Sequence, residues 1–180
     1  MASPAIAQEP KFDVFLNDFR HLYTVYHMGP RLPQTDVDRI AVRIWTGSGG
    51  GWTYASTTAC QSICESHLEL NTKPSLKYRG HVGMHLNTIV AEGVRIGVIK
   101  HRRSDIRWLL STCRKDPSYA DFLSASRLVF LIHHYGTVRI AIFQYVKGNA
   151  WKTNKRKLHD AQAYWNTVRR LQIENFSEGL

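Results

Sequence analysis

Apolar residues recur along this chain at two different spacings, and each change of period marks an expected element. Phe12, Phe15, Phe19 and Leu22 or Tyr23 fall three and four apart, which predicts a short amphipathic helix. Gly29-Pro30 and Pro33 then predict a rigid turn between Met28 and Thr35. Alternation at Ile40, Val42 and Ile44 predicts a half-buried strand over Val37–Trp45. The strand runs into Gly49-Gly50-Gly51, read as a flexible or tightly turning loop. Ala55, Ala59 and Ile63, with Cys60 and His67, return to helical spacing and give a helix with a small apolar face. A turn at Lys73-Pro74 precedes a short strand, Leu76-Lys77-Tyr78.

Further along, Thr88–Lys100 reads as a strand from Ile89, Val94, Ile96 and Val98, with Gly93 and Gly97 permitting a bulge or a close approach. Ser104 predicts the cap of a helix to Lys115, stopped by Asp116-Pro117. Leu128–His134 and Thr137–Val146 flank Tyr135-Gly136 as a hairpin. Lys155–Leu171 closes the pattern as an amphipathic helix with Leu158, Ala161, Trp165, Val168 and Leu171 on one face. Strands and helices that mix without a βαβ order or an internal repeat predict an α+β fold. The expectation is one compact domain over 12–175, an antiparallel sheet packed with two or three helices. Residues 1–11 are expected to form a flexible arm and 176–180 a loose C-terminus.

Composition adds a strong constraint. A hydrophobic share of 43% and an aromatic share of 11% suit a buried core and exclude wholesale disorder. The formal charge of +10 points to polyanions: nucleic acid, anionic lipid or an acidic protein. No run of about 18 apolar residues is present to span a bilayer. The opening Met-Ala-Ser-Pro-Ala-Ile-Ala lacks the charged start and apolar core of a secretory signal. Three cysteines without framework spacing read as reduced, mostly buried thiols of an intracellular protein.

Catalytic signatures are sparse. The glycines match neither a Walker loop nor a dinucleotide fingerprint. Cys60, Cys64 and His67 lie along one helical face and form three ligands of a candidate zinc site, with His81 or His85 as the fourth. Buried thiols are the better reading, since structural zinc more usually takes a Cys-x2-Cys knuckle. His133-His134 alternates sides of the expected strand, so at most one of the two is buried. Glu65 and Glu69 are adjacent on a helix as a solvated pair, and Ser48 in the glycine loop is a weak nucleophile candidate. Neither catalysis, a cofactor nor a metal is expected.

Positive charge, by contrast, is grouped. Lys100, His101, Arg102 and Arg103, followed by Arg107, Arg114 and Lys115, form one cluster. Lys147, Lys152, Lys155, Arg156, Lys157, Arg169 and Arg170 form a second, interleaved with Trp151, and Lys73, Lys77 and Arg79 a smaller third. Phosphate backbones reward such stripes through counterion release, and anionic leaflets reward them at about 1 kcal/mol per cation. The expected polyanion-binding residues are Lys100, Arg102, Arg103, Arg107, Lys147, Lys152, Lys155, Arg156, Lys157, Arg169 and Arg170.

Several short motifs resemble one family. Val42-Arg43-Ile44, Thr53-Tyr54, the Ala59–His67 segment and Lys73-Pro74-Ser75-Leu76-Lys77-Tyr78 are similar, in that order, to a region of rhabdovirus matrix proteins such as those of vesiculoviruses. His134-Tyr135-Gly136-Thr137-Val138-Arg139-Ile140-Ala141-Ile142 resembles the Tyr-x-Gly-Thr strand of that family. The resemblance implies a non-enzymatic α+β structural protein that self-associates, binds the viral nucleoprotein–RNA complex and lies peripherally on the inner leaflet of an anionic membrane. It also implies residence in the virion, the host cytoplasm and the cytoplasmic face of membranes. The long Lys-rich arm and the Pro-Pro-x-Tyr motif of the animal-virus members have no counterpart, so the shorter, plant-infecting type is the nearer match. The glycine loop and its flanks, Trp45, Gly49, Gly50, Gly51, Trp52 and Tyr54, are expected to contact sister subunits. Two other classes remain: a small RNA-binding regulator such as a viral silencing suppressor, and a small enzyme using the cysteine–histidine helix.

Overall fold

The computed structural model describes residues 9–66 and 78–176. Helices take up 79% of them, and the one sheet is a pair of two-residue strands. In chain order the elements are α1 (Glu9–Tyr26), α2 (Gln34–Gly47), α3 (Trp52–Ser66), β1 (Tyr78–Arg79), β2 (Met84–His85), α4 (Leu86–Arg95), α5 (Arg103–Lys115), α6 (Pro117–Tyr135), α7 (Val138–Lys147), α8 (Ala150–Thr153) and α9 (Lys155–Asn175). The expected α+β fold with a sheet against two or three helices is therefore replaced by a helical assembly.

Each misread segment has a physical reason. In α2 the buried positions are Val37, Ile40, Ala41 and Ile44, a stripe at three- and four-residue steps. Val42, which made the segment look alternating, is 43% exposed and faces outward. The segment read as a strand from Thr88 holds α4, whose buried face is Ile89, Glu92 and Gly93. Buried Glu92 accepts both Nε–H and Nη2–H of Arg95, whose guanidinium also donates to Ser126 Oγ on α6 at 2.8 Å. Gly93 is required there, because a Cβ would lie 2.6 Å from Leu109 Cδ2.

The expected hairpin at Tyr135-Gly136 is a helix break. Gly136 adopts φ +75°, caps α6 in the left-handed region, and its N–H donates to Ile132 O at 2.7 Å. Thr137 then caps α7 by accepting the Ile140 N–H. The β-branched residues of α6 and α7 suited strands by propensity, but burial among helices decides their state. The glycine run is likewise the end of α2: Gly49 (φ +63°) and Gly50 (φ +73°) return their N–H groups to Thr46 O and Trp45 O.

Helix α6 is the spine of the molecule. Its Leu128, Leu131 and Ile132 enter a large core with Phe15, Phe19 and Leu22 of α1, Ile40 and Ile44 of α2, Ala59 of α3, Ile142 of α7 and Val168 of α9. Ala120 and Leu123, one to two turns earlier, enter a smaller core with Met84, Ile89, Ile99, Leu109 and Cys113. Phe176, expected in the loose terminus, is 1% exposed and stacks on Phe15 with ring centroids 5.8 Å apart.

Helix α3 is buried nearly all round despite its polar composition. Ser56, Thr57, Thr58 and Ser62 donate their hydroxyls to carbonyls three or four residues back, so they enter the core without an unmet donor. A carboxylate docks the small core's loop. Asp121, fully buried on α6, accepts the His81 N–H at 2.6 Å and the Val82 N–H at 3.2 Å, while His81 Nδ1 lies 2.5 Å from its other oxygen.

Candidate polyanion surfaces

Two basic surfaces emerge, one on each core. Helix α5 packs its Leu109 and Cys113 into the small core. That orientation leaves Arg103, Arg107 and Arg114, at steps of four and seven, on one outward stripe. Trp108 stands beside them, 53% exposed. Lys100 and Arg102 lead into the helix, with Arg102 in the N-cap position. The one carboxylate in the cluster, Asp105, accepts the Lys100 N–H at 3.1 Å and the Ser104 hydroxyl at 3.2 Å. Among the described residues, Lys100, Arg102, Arg103, Arg107 and Arg114 pair with no carboxylate.

The second surface lies where α8 meets α9. Lys152, Lys155, Arg156 and Lys157 are all exposed and also form no ion pair among the described residues. Lys155, Arg156 and Lys157 fill the first turn of a 21-residue helix, with Asn154 Oδ1 accepting the Lys157 N–H at 3.1 Å. Cations in that turn oppose the helix dipole, so the local field favours an incoming anion. Lys152 Nζ sits 5.5 Å from the Tyr135 ring and 5.7 Å from Trp151, whose own ring packs edge-on against Phe143. Leu158, expected on the buried face of α9, is instead 41% exposed among these cations.

The remaining cations behave differently. Lys147 meets Asp160 at 3.5 Å, and Arg170 lies 3.9 Å from Glu174, so both already face a carboxylate. Arg169 is unpaired among the described residues, and Arg170 lies beside it, about 20 Å along α9 from the first-turn group. The sequence cluster running from Lys147 to Arg170 is thus split into parts. Lys73 and Lys77 of the third group lie outside the described residues.

Around the glycine turn, the expected contact residues divide. Trp52 is buried edge-on against Phe15 and Phe176, and Trp45 packs on Phe12 and Phe15, so both indoles are committed to the core. Gly49 is exposed, Gly50 and Gly51 are half-buried, and Tyr54 meets His133 edge-on at 6.1 Å. His133 and His134 both face solvent in the last turn of α6, within the expected limit of at most one buried, although the element is a helix and not a strand.

Nucleophile and metal chemistry find little support in the geometry. Burial pushes the Cys64 thiol up to about 11 and the Cys113 thiol up to about 12, and raises the Cys60 thiol well above its ordinary value. His67 lies outside the described residues, His81 Nδ1 is committed to Asp121, and His85 Nδ1 accepts the Asn87 N–H as the cap of α4. No cluster of three candidate metal ligands occurs among the described residues. Ser48 is buried. A cavity of about 610 Å³ between α3, β2 and α7 mixes charge signs, with Glu65 and Arg127 both lining it. Packing around the Glu65 carboxyl raises its pKa, although the residue keeps contact with solvent.

Sequence reading missed two basic-surface features. Trp108 was passed over beside the α5 arginines, where its helical step from Ser104 was the available signal. Arg139 belonged to no cluster because its segment was read as a strand. No helix among the described residues is long and apolar enough to cross a membrane. No family model, curated protein or solved structure matches this chain.

Proposed function

We propose that the protein is a non-enzymatic structural protein of the viral matrix kind. It self-associates and bridges a nucleoprotein–RNA complex to the inner face of an anionic membrane during virion assembly. The observation that carries the reading is the presence of two basic surfaces, unpaired among the described residues, on separately packed helices. Helix α5 rests on α4 and α6 over the small core, while α9 rests on α3, α7 and α8 over the large one. A molecule with two such faces engages two polyanions at once, which a single basic groove does not. Each cation adds about 1 kcal/mol near an anionic leaflet, or one released counterion on a phosphate chain.

The matrix assignment itself rests on the sequence motifs. The strands that the resemblance implied are helical at Val42–Ile44 and, after the cap Thr137, at Val138–Ile142, so the charge arrangement now carries more of the argument than the fold. Electron microscopy of the full chain with phosphatidylserine liposomes tests it. Ordered arrays on the vesicles are the expected result. Dispersed protein without lipid affinity, combined with tight binding to naked duplex RNA, would favour the RNA-regulator reading instead.

A further inference from the structure

A small concavity of about 290 Å³ opens between the first turn of α3, the start of α7 and the second half of α9. Its walls include Thr53, Thr137, Arg139, Trp165, Arg169 and Ile173, and among the described residues no carboxylate lines it. Both arginines are exposed and unpaired with any acid among the described residues. Arg139 is held in place: its guanidinium donates to Gln162 Oε1 and lies 5.4 Å from the Phe143 ring centroid. An arginine has five donors, so most of its capacity remains open. Arg139, held in this way, and Arg169 on the same wall offer two guanidiniums to a phosphate with no acid among the described lining residues, and Trp165 lines the concavity with them as an apolar surface.

We propose that this concavity holds one nucleotide of a single RNA strand. The phosphate lies between Arg139 and Arg169, and the base packs on Trp165. The proposal rests on the polyanion reading above and deepens it, naming a defined nucleotide contact apart from the α5 and α9 first-turn surfaces. It also explains why Arg169 stands apart from the first-turn group.

Adenosine 5′-monophosphate and inorganic phosphate, titrated separately into the full chain and followed by NMR of the indole N–H signals, test it. The nucleotide should bind about tenfold tighter than phosphate, since stacking on Trp165 adds to the charge term. Arg139→Gln and Arg169→Gln, both surface changes, should each weaken the nucleotide about tenfold. Trp165→Phe should narrow the gap between nucleotide and phosphate without unfolding the chain. Lys155→Gln/Arg156→Gln/Lys157→Gln should leave the nucleotide affinity unchanged while flattening the salt dependence of binding to long RNA. Equal binding of both ligands by wild type and the arginine variants overturns the nucleotide site. So does a loss confined to phosphatidic-acid vesicles, with the nucleotide unaffected. In either case, a response of long RNA to the first-turn variant would leave the broader polyanion reading standing.

Discussion

Helices α5 and α9 are both amphipathic with cations at their N-terminal ends, yet only α5 sets an acid beside Arg103 in its first turn and adds cations in its last. In α5, Asp105 lies in the first turn and Arg114 and Lys115 in the last, so much of the charge agrees with the helix dipole. In α9, the first turn is Lys155-Arg156-Lys157 with no acid to offset it, and the last turn has no cation. The first arrangement serves stability and binding together. The second sets them against each other, since each misplaced cation costs about 0.3–1 kcal/mol until an anion arrives. A surface that costs stability when empty is a stronger sign of a ligand than one that does not.

The largest expected effect separates the two regions. Asp121→Ala strands the His81 and Val82 N–H groups and the His81 ring in the small core, which supports α5. A loss of about 3 kcal/mol or more is expected in urea unfolding, because each buried unmet donor costs about 1–3 kcal/mol. Anion binding through α5 should fall with it, while binding through α9 on the large core survives. Equal loss at both surfaces would mean that they are not independent.

Opposite signs of stability change sharpen the contrast next. Lys155→Gln/Arg156→Gln/Lys157→Gln should stabilise the fold by about 1 kcal/mol in thermal melts and reduce the RNA salt slope by about two to three units. Arg114→Gln/Lys115→Gln should instead destabilise it by about 0.6 kcal/mol while also weakening anion binding. If both variants moved stability in the same direction, the dipole argument would be wrong.

The smallest effect is a pH effect remote from both surfaces. The hydrogen-bonded Arg20 guanidinium holds the Asp38 carboxyl below its ordinary value, despite opposing desolvation. Its contribution is therefore complete above the ordinary aspartate range, about pH 4, and is lost as pH falls through the depressed value. Because both partners are about a third exposed, Asp38→Asn should cost under about 1 kcal/mol at pH 7, and progressively less as the pH falls below the ordinary aspartate range. Acid titration of the unfolding midpoint measures this.

How much was legible in the sequence depended on whether one period or two fitted. Phe12, Phe15 and Phe19 admit only helical spacing, and α1 follows. Ala55, Ala59 and Ile63 likewise gave α3. In α2, Ile40, Val42 and Ile44 fit a strand as well as Ile40, Ala41 and Ile44 fit a helix, and only the exposure of Val42 separates them. The Gly136 turn was located correctly but joins helices, because a left-handed glycine ends a helix as readily as it turns a hairpin. Basic clusters were visible because charge density needs no period. Which cations already had acid partners, as Lys147 and Arg170 do, depends on packing that no linear pattern encodes.

Co-flotation tests the central claim of two independent basic faces most directly. Fluorescent single-stranded RNA is mixed with phosphatidylserine vesicles and the full chain, and the RNA carried upward with the vesicles is measured. The wild-type chain should carry it. Arg103→Gln/Arg107→Gln/Arg114→Gln and Lys152→Gln/Lys155→Gln/Arg156→Gln/Lys157→Gln should each abolish the transfer while retaining binding to one of the two polyanions alone. Undiminished RNA transfer by either variant would contradict the two-face account.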